Sequence, residues 1–122
     1  MFSALNQSQL EKLPILDWET HLSVKWNGDE KSAILLLSTL ADDLLEMRPQ
    51  LIDYFENQDW SNLRVLLHTL KGGISFCAVP RLEAVHSQVH QAIKNGDVLI
   101  DFQLFINILD ETQRTIEHFK KK

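Results

Sequence analysis

The stretch WSNLRVLLHTLKGGISFC, residues 60–77, has two different faces when it is placed on a helical wheel at about 100° per residue. One arc of about 100° is apolar, which is the width expected of a stripe that faces a core. Its members are Leu63, Leu66, Leu67, Leu70, Ile74 and Cys77. A second arc carries polar side chains, two cations and a glycine, at Ser61, Arg64, His68, Lys71, Gly72 and Ser75. The stretch is therefore predicted to be a helix that buries one face and exposes the other.

The same periodicity of about 3.6 residues recurs along the chain, and no alternating run is long enough to make a sheet. The pattern predicts an all-α fold. Long helices are expected at 30–56, 60–77, 80–94 and 100–119, with Asp29 and Asp59 as N-caps and Pro80 in a first turn. Pro49 predicts a kink, or a division into two helices, within 30–56. Short connections favour an antiparallel four-helix bundle.

Two short helices are predicted before the bundle. The first covers 7–13 and stops at Pro14, and the second starts after Asp17 and ends at the turn formed by residues 27–29. We expect both to cover the bundle. Residues 1–15 are assigned to an N-terminal segment or former linker, and 16–122 to the bundle domain.

Composition restricts the class of protein. The chain has 122 residues, one cysteine and a net charge of −5, so we expect one domain in a reducing compartment and no nucleic acid as a partner. The longest apolar run is far shorter than the roughly 20 residues that cross a bilayer. The first ten residues lack the pattern of a signal peptide. These features predict a cytoplasmic protein without direct membrane contact.

His68 is predicted to point to solvent from the middle of its helix. An exposed imidazole is mostly neutral at cytosolic pH, and one ring nitrogen then has a lone pair that can attack phosphorus. Arg64 at i−4 and Lys71 at i+3 would flank a phosphoryl group on the ring, and Gly72 at i+4 removes a side chain that would crowd it. The face suits a histidine that becomes phosphorylated.

The residues HTLKGG, 68–73, resemble the His-x-x-Lys-Gly pattern of the histidine-containing phosphotransfer (HPt) domains of multistep phosphorelays. The resemblance extends from LDWE and GDEK through NQDW, VPRL and NGD to the last helix. It implies a four-helix bundle whose histidine receives a phosphoryl group from the aspartate of one receiver domain and passes it to the aspartate of another. HPt domains often have glycine ten residues after the histidine, where this chain has Ala78. A difference in local packing is expected there.

The resemblance also implies roles for individual residues. His68 is the phosphoacceptor, Lys71 helps to hold the phosphoryl group, and Gly72 leaves room for a docked receiver. Arg64 and Ser75 complete the expected docking face. The implied partners are the receiver domains of a hybrid sensor kinase and of a response regulator, and the receiver supplies the Mg²⁺.

The chain itself is expected to be a monomeric phosphoryl carrier without a cofactor or metal of its own. It shows no glycine-rich phosphate loop and no ATP-binding domain, so it is not a self-sufficient kinase. Both a free-standing protein and the C-terminal part of a hybrid sensor histidine kinase fit the resemblance. The alternative function is a non-catalytic helical module that binds a partner protein through the same face.

Three further positions lead to separate predictions. His86 and His90, with Glu83 on the same face, have a spacing that could hold zinc, but three candidate ligands without a second set favour a solvated helix face. Cys77 is expected to be a small core residue. Gly73 lies at the edge of the apolar arc, where it is expected to permit close approach of a neighbouring helix.

Overall fold

The computed structural model describes residues 7–96 and 101–120, and within these ranges it contains helices and turns but no strand. The predicted all-α fold class is therefore confirmed. Two short helices come first, α1 (Gln7–Glu11) and α2 (Trp18–Thr20), and a π-helical turn (His21–Lys25) continues α2. Four long helices follow: α3 (Glu30–Glu56), α4 (Trp60–Ser75), α5 (Pro80–Lys94) and α6 (Phe102–Lys120).

Local sequence explains where the long helices begin. The Asp29 side chain accepts a hydrogen bond from the backbone N–H of Ser32 at 3.3 Å and caps α3. Asp59 caps α4 by accepting from the N–H of Asn62, also at 3.3 Å. Pro80 opens α5, where the first turn does not need its missing N–H. The predicted starts of these three helices are confirmed.

The long helices form a bundle in which each packs against two others. The end of α3 meets the starts of α4 and α6, because the Phe55 ring lies 5.7 Å from Trp60 and 4.1 Å from Phe102 between centroids. Gly73, near the end of α4, faces Leu40 in the first half of α3. Both α4 and α6 therefore run antiparallel to α3. The remaining side is closed by α5, so α4 and α6 lie at opposite corners.

The core consists of aliphatic and aromatic side chains from all four long helices. Its fully buried members include Leu37, Leu40, Leu44, Leu51, Leu63, Leu67, Leu82, Phe105, Leu109 and Ile116. Each long helix directs one apolar stripe inward, although Leu35, Leu45 and Val65 are exposed on the outer faces of α3 and α4. Among the described residues, no helix combines the length and the apolar character needed to cross a bilayer.

The N-terminal residues cover α5. Leu10 is buried in the common core, with 2 % of its surface exposed. The Arg81 guanidinium of α5 donates through Nε to the carbonyl of Leu13 at 2.9 Å and through Nη2 to that of Glu11 at 3.0 Å. These bonds satisfy carbonyl groups near the end of α1. The division into 1–15 and 16–122 stays a prediction, but its described N-terminal part packs on the bundle.

A buried histidine joins the cover to α3. His21 is fully buried, and its Nε2–H donates to the carbonyl of Ala33 at 2.7 Å. Its ring lies 5.9 Å from that of Trp18 and 6.2 Å from that of Trp26. Burial lowers the pKa of His21, so the ring is held in its neutral form. No sequence pattern indicated a buried role for this residue.

Three helix predictions differ from the structure, and the first is the end of α1, which lies at Glu11 and not at residue 13. The division of α3 into two helices is wrong, because α3 continues through Pro49, which is exposed, with Leu44 and Leu51 buried on either side of it. Core packing on both sides holds the helix together despite the missing backbone bond. The kink expected there stays a prediction. The end of α4 lies at Ser75, two residues before the predicted end at Cys77. The predicted start of the last helix, residue 100, lies outside the described residues.

Candidate functional site

The two faces of α4 lie as the helical wheel predicts, with one difference. Leu63, Leu67, Leu70 and Ile74 are buried, whereas Ser61, Arg64, His68, Lys71, Gly72 and Ser75 are exposed. Leu66, which was predicted to be in the core, is only partly buried because it lies at the edge of the stripe. Cys77 belongs to the core but follows the end of the helix. The polar face of α4 is therefore free to meet another molecule.

The environment of Cys77 makes its thiol unreactive. Burial raises the pKa of Cys77 to about 12, and the thiol lies 3.7 Å from the carbonyl oxygen of Leu36. Only the thiolate is a good nucleophile. This agrees with the predicted role as a small core residue.

An open depression of about 570 Å³ lies beside His68. Residues of α4 form one wall, and two residues of α5 form the other. The lining residues are Ser61, Asn62, Arg64, Val65, His68, Thr69, His90 and Lys94. The α5 residues were not predicted to belong to the site, because a single-sequence wheel does not show how one helix is rotated toward another.

Of the two α5 residues that line the depression, His90 has its ring next to that of His68. The two ring centroids are 6.3 Å apart, and His90 is partly buried while His68 is exposed. Burial lowers the pKa of His90 most, and electrostatic interactions with His68, Lys71, Lys94 and Arg64 lower it further. The residues around His68 thus form a positively charged cluster suited to an anionic group.

The predicted solvated face for His86 is wrong. Only 2 % of its surface is exposed, and its Nε2–H donates to the backbone carbonyl of Leu67 at 2.8 Å. Burial lowers the pKa of His86 to about 4, with smaller effects from neighbouring groups. The apolar stripe of α5, which includes Leu82 and Val89, encloses this position and is the sequence signal that could have located it. The residue joins α5 to α4 one position before His68.

The zinc alternative receives no support from the described residues. His86 and His90 are neighbours, with ring centroids 5.7 Å apart, but Nε2 of His86 is engaged with a backbone carbonyl and Glu83 is exposed. Within 7–96 and 101–120, no group of three or more metal-binding side chains comes together. The absence of a metal of the chain's own stays a prediction.

The two adjacent glycines face different surroundings. A Cβ atom built on Gly72 would have no atom within 4 Å, so no contact inside the protein requires a glycine there. A Cβ atom on Gly73 would lie 3.5 Å from Cδ1 of Leu40. Gly73 thus faces α3 as predicted, but this is an ordinary van der Waals distance that leaves room for alanine. A larger side chain at Gly73 would have to displace Leu40.

An exposed apolar side chain also lies in the depression. Val65 retains 66 % of its surface exposed and lies three residues before His68 on α4. An exposed valine alone is unremarkable in a soluble domain. Beside an open, positively charged site, it adds apolar area that a docked protein would cover. The helical wheel did not assign Val65 to either arc.

The geometry provides an accessible imidazole with cations on both sides of it along the helix and a second helix that adds His90 and Lys94. Such a site can hold a phosphoryl group on the ring and partly neutralise its charge. The roles predicted for His68, Lys71, Arg64, Gly72 and Ser75 are compatible with their exposure and stay predictions.

Comparison with protein-family models matches residues 33–118 to the Hpt domain. The match includes all of α4 and α5, nearly all of α3, and most of α6. No curated protein and no solved structure matches the chain in the corresponding comparisons. Since the matched part covers more than half of the 122 residues, the chain belongs to the Hpt domain family.

Proposed function

We propose that this chain is a histidine phosphotransfer module that accepts a phosphoryl group on His68 from a receiver-domain aspartate. It then passes the group to the aspartate of a response regulator. The observation that carries the proposal is the exposure of His68 in the middle of α4, between Arg64 and Lys71 and beside the depression shared with α5. Membership of the Hpt family supports the same chemistry and receiver domains as partners.

The transfer step is an in-line displacement at phosphorus. A lone pair on a ring nitrogen of neutral His68 forms the N–P bond while the P–O bond to the receiver aspartate breaks. The electron pair of that P–O bond leaves with the aspartate carboxylate. The receiver supplies the Mg²⁺ and its acidic cluster, and this chain supplies the nucleophile and positive charge. The return step to a second receiver reverses these bond changes.

Lys71 and Arg64 compensate for the charge of the phosphoryl group. Both are exposed and both lie on the same helix face as His68, three and four residues away from it. A unit charge about 4 Å from a cation in water-like surroundings gains about 1 kcal/mol. These residues are therefore expected to tune the rate of transfer and the lifetime of phosphohistidine, while His68 is indispensable.

The same face provides the docking surface. Gly72 and Ser75 extend the exposed face toward the end of α4, and Val65 adds apolar area on the other side of His68. A Cβ atom built on Gly72 would project into open space, so the absence of a side chain there leaves room beside His68 for a docked protein. A receiver can then bring its aspartyl phosphate close enough for an in-line reaction.

The wider setting follows from this chemistry. The donor is the receiver domain of a hybrid sensor kinase, the acceptor is a response regulator, and the module acts in the cytoplasm as a monomer without a cofactor of its own. The chain would serve either as a separate carrier or as the C-terminal domain of the kinase.

A direct test uses a purified receiver domain carrying a labelled aspartyl phosphate with Mg²⁺. Incubation with this chain should transfer label that is labile to acid and stable to alkali, which is characteristic of phosphohistidine. His68→Gln should abolish the label. His118→Gln is the matched control, because His118 is an exposed helical histidine on α6, at the corner opposite α4.

Two outcomes would overturn the proposal. Label that persists in His68→Gln would place the phosphoryl group elsewhere. Complete absence of label, together with binding of the receiver to this face, would instead favour the non-catalytic interaction module.

A further inference from the structure

His90 occupies a position that the proposed transfer reaction does not itself require. It belongs to α5, yet it lines the depression beside His68, with 6.3 Å between the two ring centroids. The ring is partly buried rather than solvated. A phosphoryl group on His68 would enter the depression that this second imidazole lines.

The charges around His90 come from both helices that form the depression. On α4 these are Arg64 and Lys71, beside the titratable ring of His68, and on α5 the charged neighbour is Lys94. The ring of buried His86 also lies 5.7 Å away, and behind His86 α6 contributes the apolar ring of Phe105. Each charged group that acts on His90 favours its neutral form in the unphosphorylated protein, and burial acts in the same direction.

We propose that His90 binds a proton when His68 is phosphorylated and releases it when the phosphoryl group leaves, so that phosphoryl occupancy and His90 protonation are coupled. The inference rests on the proposed function, because it requires a phosphoryl group on His68. It adds a regulatory property, a dependence of phosphohistidine yield on pH that originates in a residue of α5.

The charge balance explains the coupling. Formation of the N–P bond on His68 accompanies cleavage of the aspartyl P–O bond, and the aspartate leaves with the electron pair. The phosphoryl group brings about two negative charges next to His90, where the permanently charged neighbours Arg64, Lys71 and Lys94 are cations. The proton that binds to His90 comes from solvent, and no oxidant or further reactant is needed.

The direction of the effect follows from linkage. If phosphorylation increases the affinity of His90 for a proton, protonation of His90 must favour phosphorylation by the same factor. The yield of phosphohistidine at equilibrium should therefore rise as pH falls through the range in which His90 titrates. At a separation of about 6 Å in water-like surroundings, two phosphoryl charges should increase the affinity of His90 for a proton roughly tenfold.

The first test is an NMR titration of the histidine rings of the whole chain. His68 is phosphorylated with phosphoramidate, a small phosphoryl donor, and the His90 signals are followed against pH before and after. We expect the midpoint of the His90 titration to move upward by about one pH unit, which corresponds to the tenfold coupling. The same movement should persist in the control variant His118→Gln. An unchanged His90 titration in a phosphorylated chain would overturn the inference.

The second test measures transfer from the phosphorylated receiver at several pH values. The ratio of phosphohistidine formed by the wild-type chain to that formed by His90→Gln removes the receiver's own pH dependence. This ratio should rise about tenfold as pH falls through the His90 titration, and a flat ratio would contradict the coupling.

Failure of His68 to become labelled by either donor would overturn the proposed function and this inference together. Normal labelling with no movement of the His90 titration would overturn the inference alone.

Discussion

The two faces of α4 differ in role, since one packs in the core and the other carries the candidate site. Its inward face is formed by leucines and an isoleucine with almost no exposed surface, whereas its outward face carries His68 with cations and small residues. The backbone connects the two, because the carbonyl of Leu67, one residue before His68, accepts the hydrogen bond from buried His86. The backbone beside the exposed histidine is therefore anchored to the buried side of the helix. Substitutions on the two faces should therefore affect different measurements.

The largest effect on stability is expected on the inward face. Leu67→Ala removes a fully buried side chain and should lower the free energy of unfolding by about 2 to 5 kcal/mol. Urea unfolding monitored by circular dichroism measures this change. Val65→Ala on the exposed face is the control and should change stability by no more than about 0.5 kcal/mol. Equal losses in both variants would contradict the division into two faces.

A second prediction concerns the pH dependence of stability. His86 has a pKa of about 4 in the folded protein and an ordinary value of 6.5 when exposed. Between these values the unfolded chain binds the proton and the folded chain does not, so stability falls as pH decreases from 6.5 to 4. Protonation of this residue should lower the free energy of unfolding by about 3 kcal/mol over this pH range.

The test compares urea unfolding of the wild-type chain and of His86→Gln at pH 7 and pH 4. Glutamine lacks the titrating ring but can still donate to the Leu67 carbonyl. The wild-type chain should lose about 3 kcal/mol more than the variant over this range. Equal losses would show that protonation of His86 does not oppose folding. At pH 7, the His86→Gln substitution should change phosphotransfer per folded molecule less than it changes the free energy of unfolding.

The third prediction concerns the outward face. Gly72→Leu should fold, because a Cβ atom there meets no other atom, but the larger side chain would stand in the docking surface. A misfit of about 2 kcal/mol in the docked complex would slow transfer about thirtyfold. The measurement is the rate of label transfer from the phosphorylated receiver. Gly73→Ala, which faces α3, is the matched control and should leave transfer unchanged.

Replacement of Gly73 should also change the stability of the chain. Gly73→Ala should stabilise the helix by up to about 1 kcal/mol, since the added methyl group finds an ordinary contact distance to Leu40. A Gly72→Leu variant that transfers at the normal rate would contradict the clearance role of Gly72 without affecting the role of His68.

The smallest expected effect comes from Lys71. Lys71→Ala removes one exposed cation from the His68 face, and the loss of about 1 kcal/mol of attraction should reduce the transfer rate about fivefold. The rate should also become less sensitive to salt. Arg114→Ala is the control, because Arg114 is an exposed cation on α6, opposite α4. A complete loss of transfer in Lys71→Ala would assign this residue more than charge compensation.

Sequence patterns predicted the buried and exposed residues of α4 better than those of α5. On α4 the leucine stripe is long and regular, so the wheel separated inward from outward positions and placed His68 among the exposed ones. On α5 the buried stripe itself contains a histidine, and the solvated face predicted for His86 from its small number of candidate metal ligands is wrong, because His86 is 2 % exposed. An apolar stripe identifies its own members, but it does not show whether a polar residue within it will find a buried partner.

Periodicity, capping residues and helix geometry were enough to predict the all-α bundle, the starts of α3, α4 and α5, and the neighbours of His68 along one helix. These relations are local, because helix geometry fixes which residues three and four positions apart share a face. Only the tertiary structure brought His90 and Lys94 of α5 to His68 and paired His86 with the carbonyl of Leu67. The rotation of one helix against another depends on how side chains from several helices pack together, and periodicity within a single helix does not contain that information.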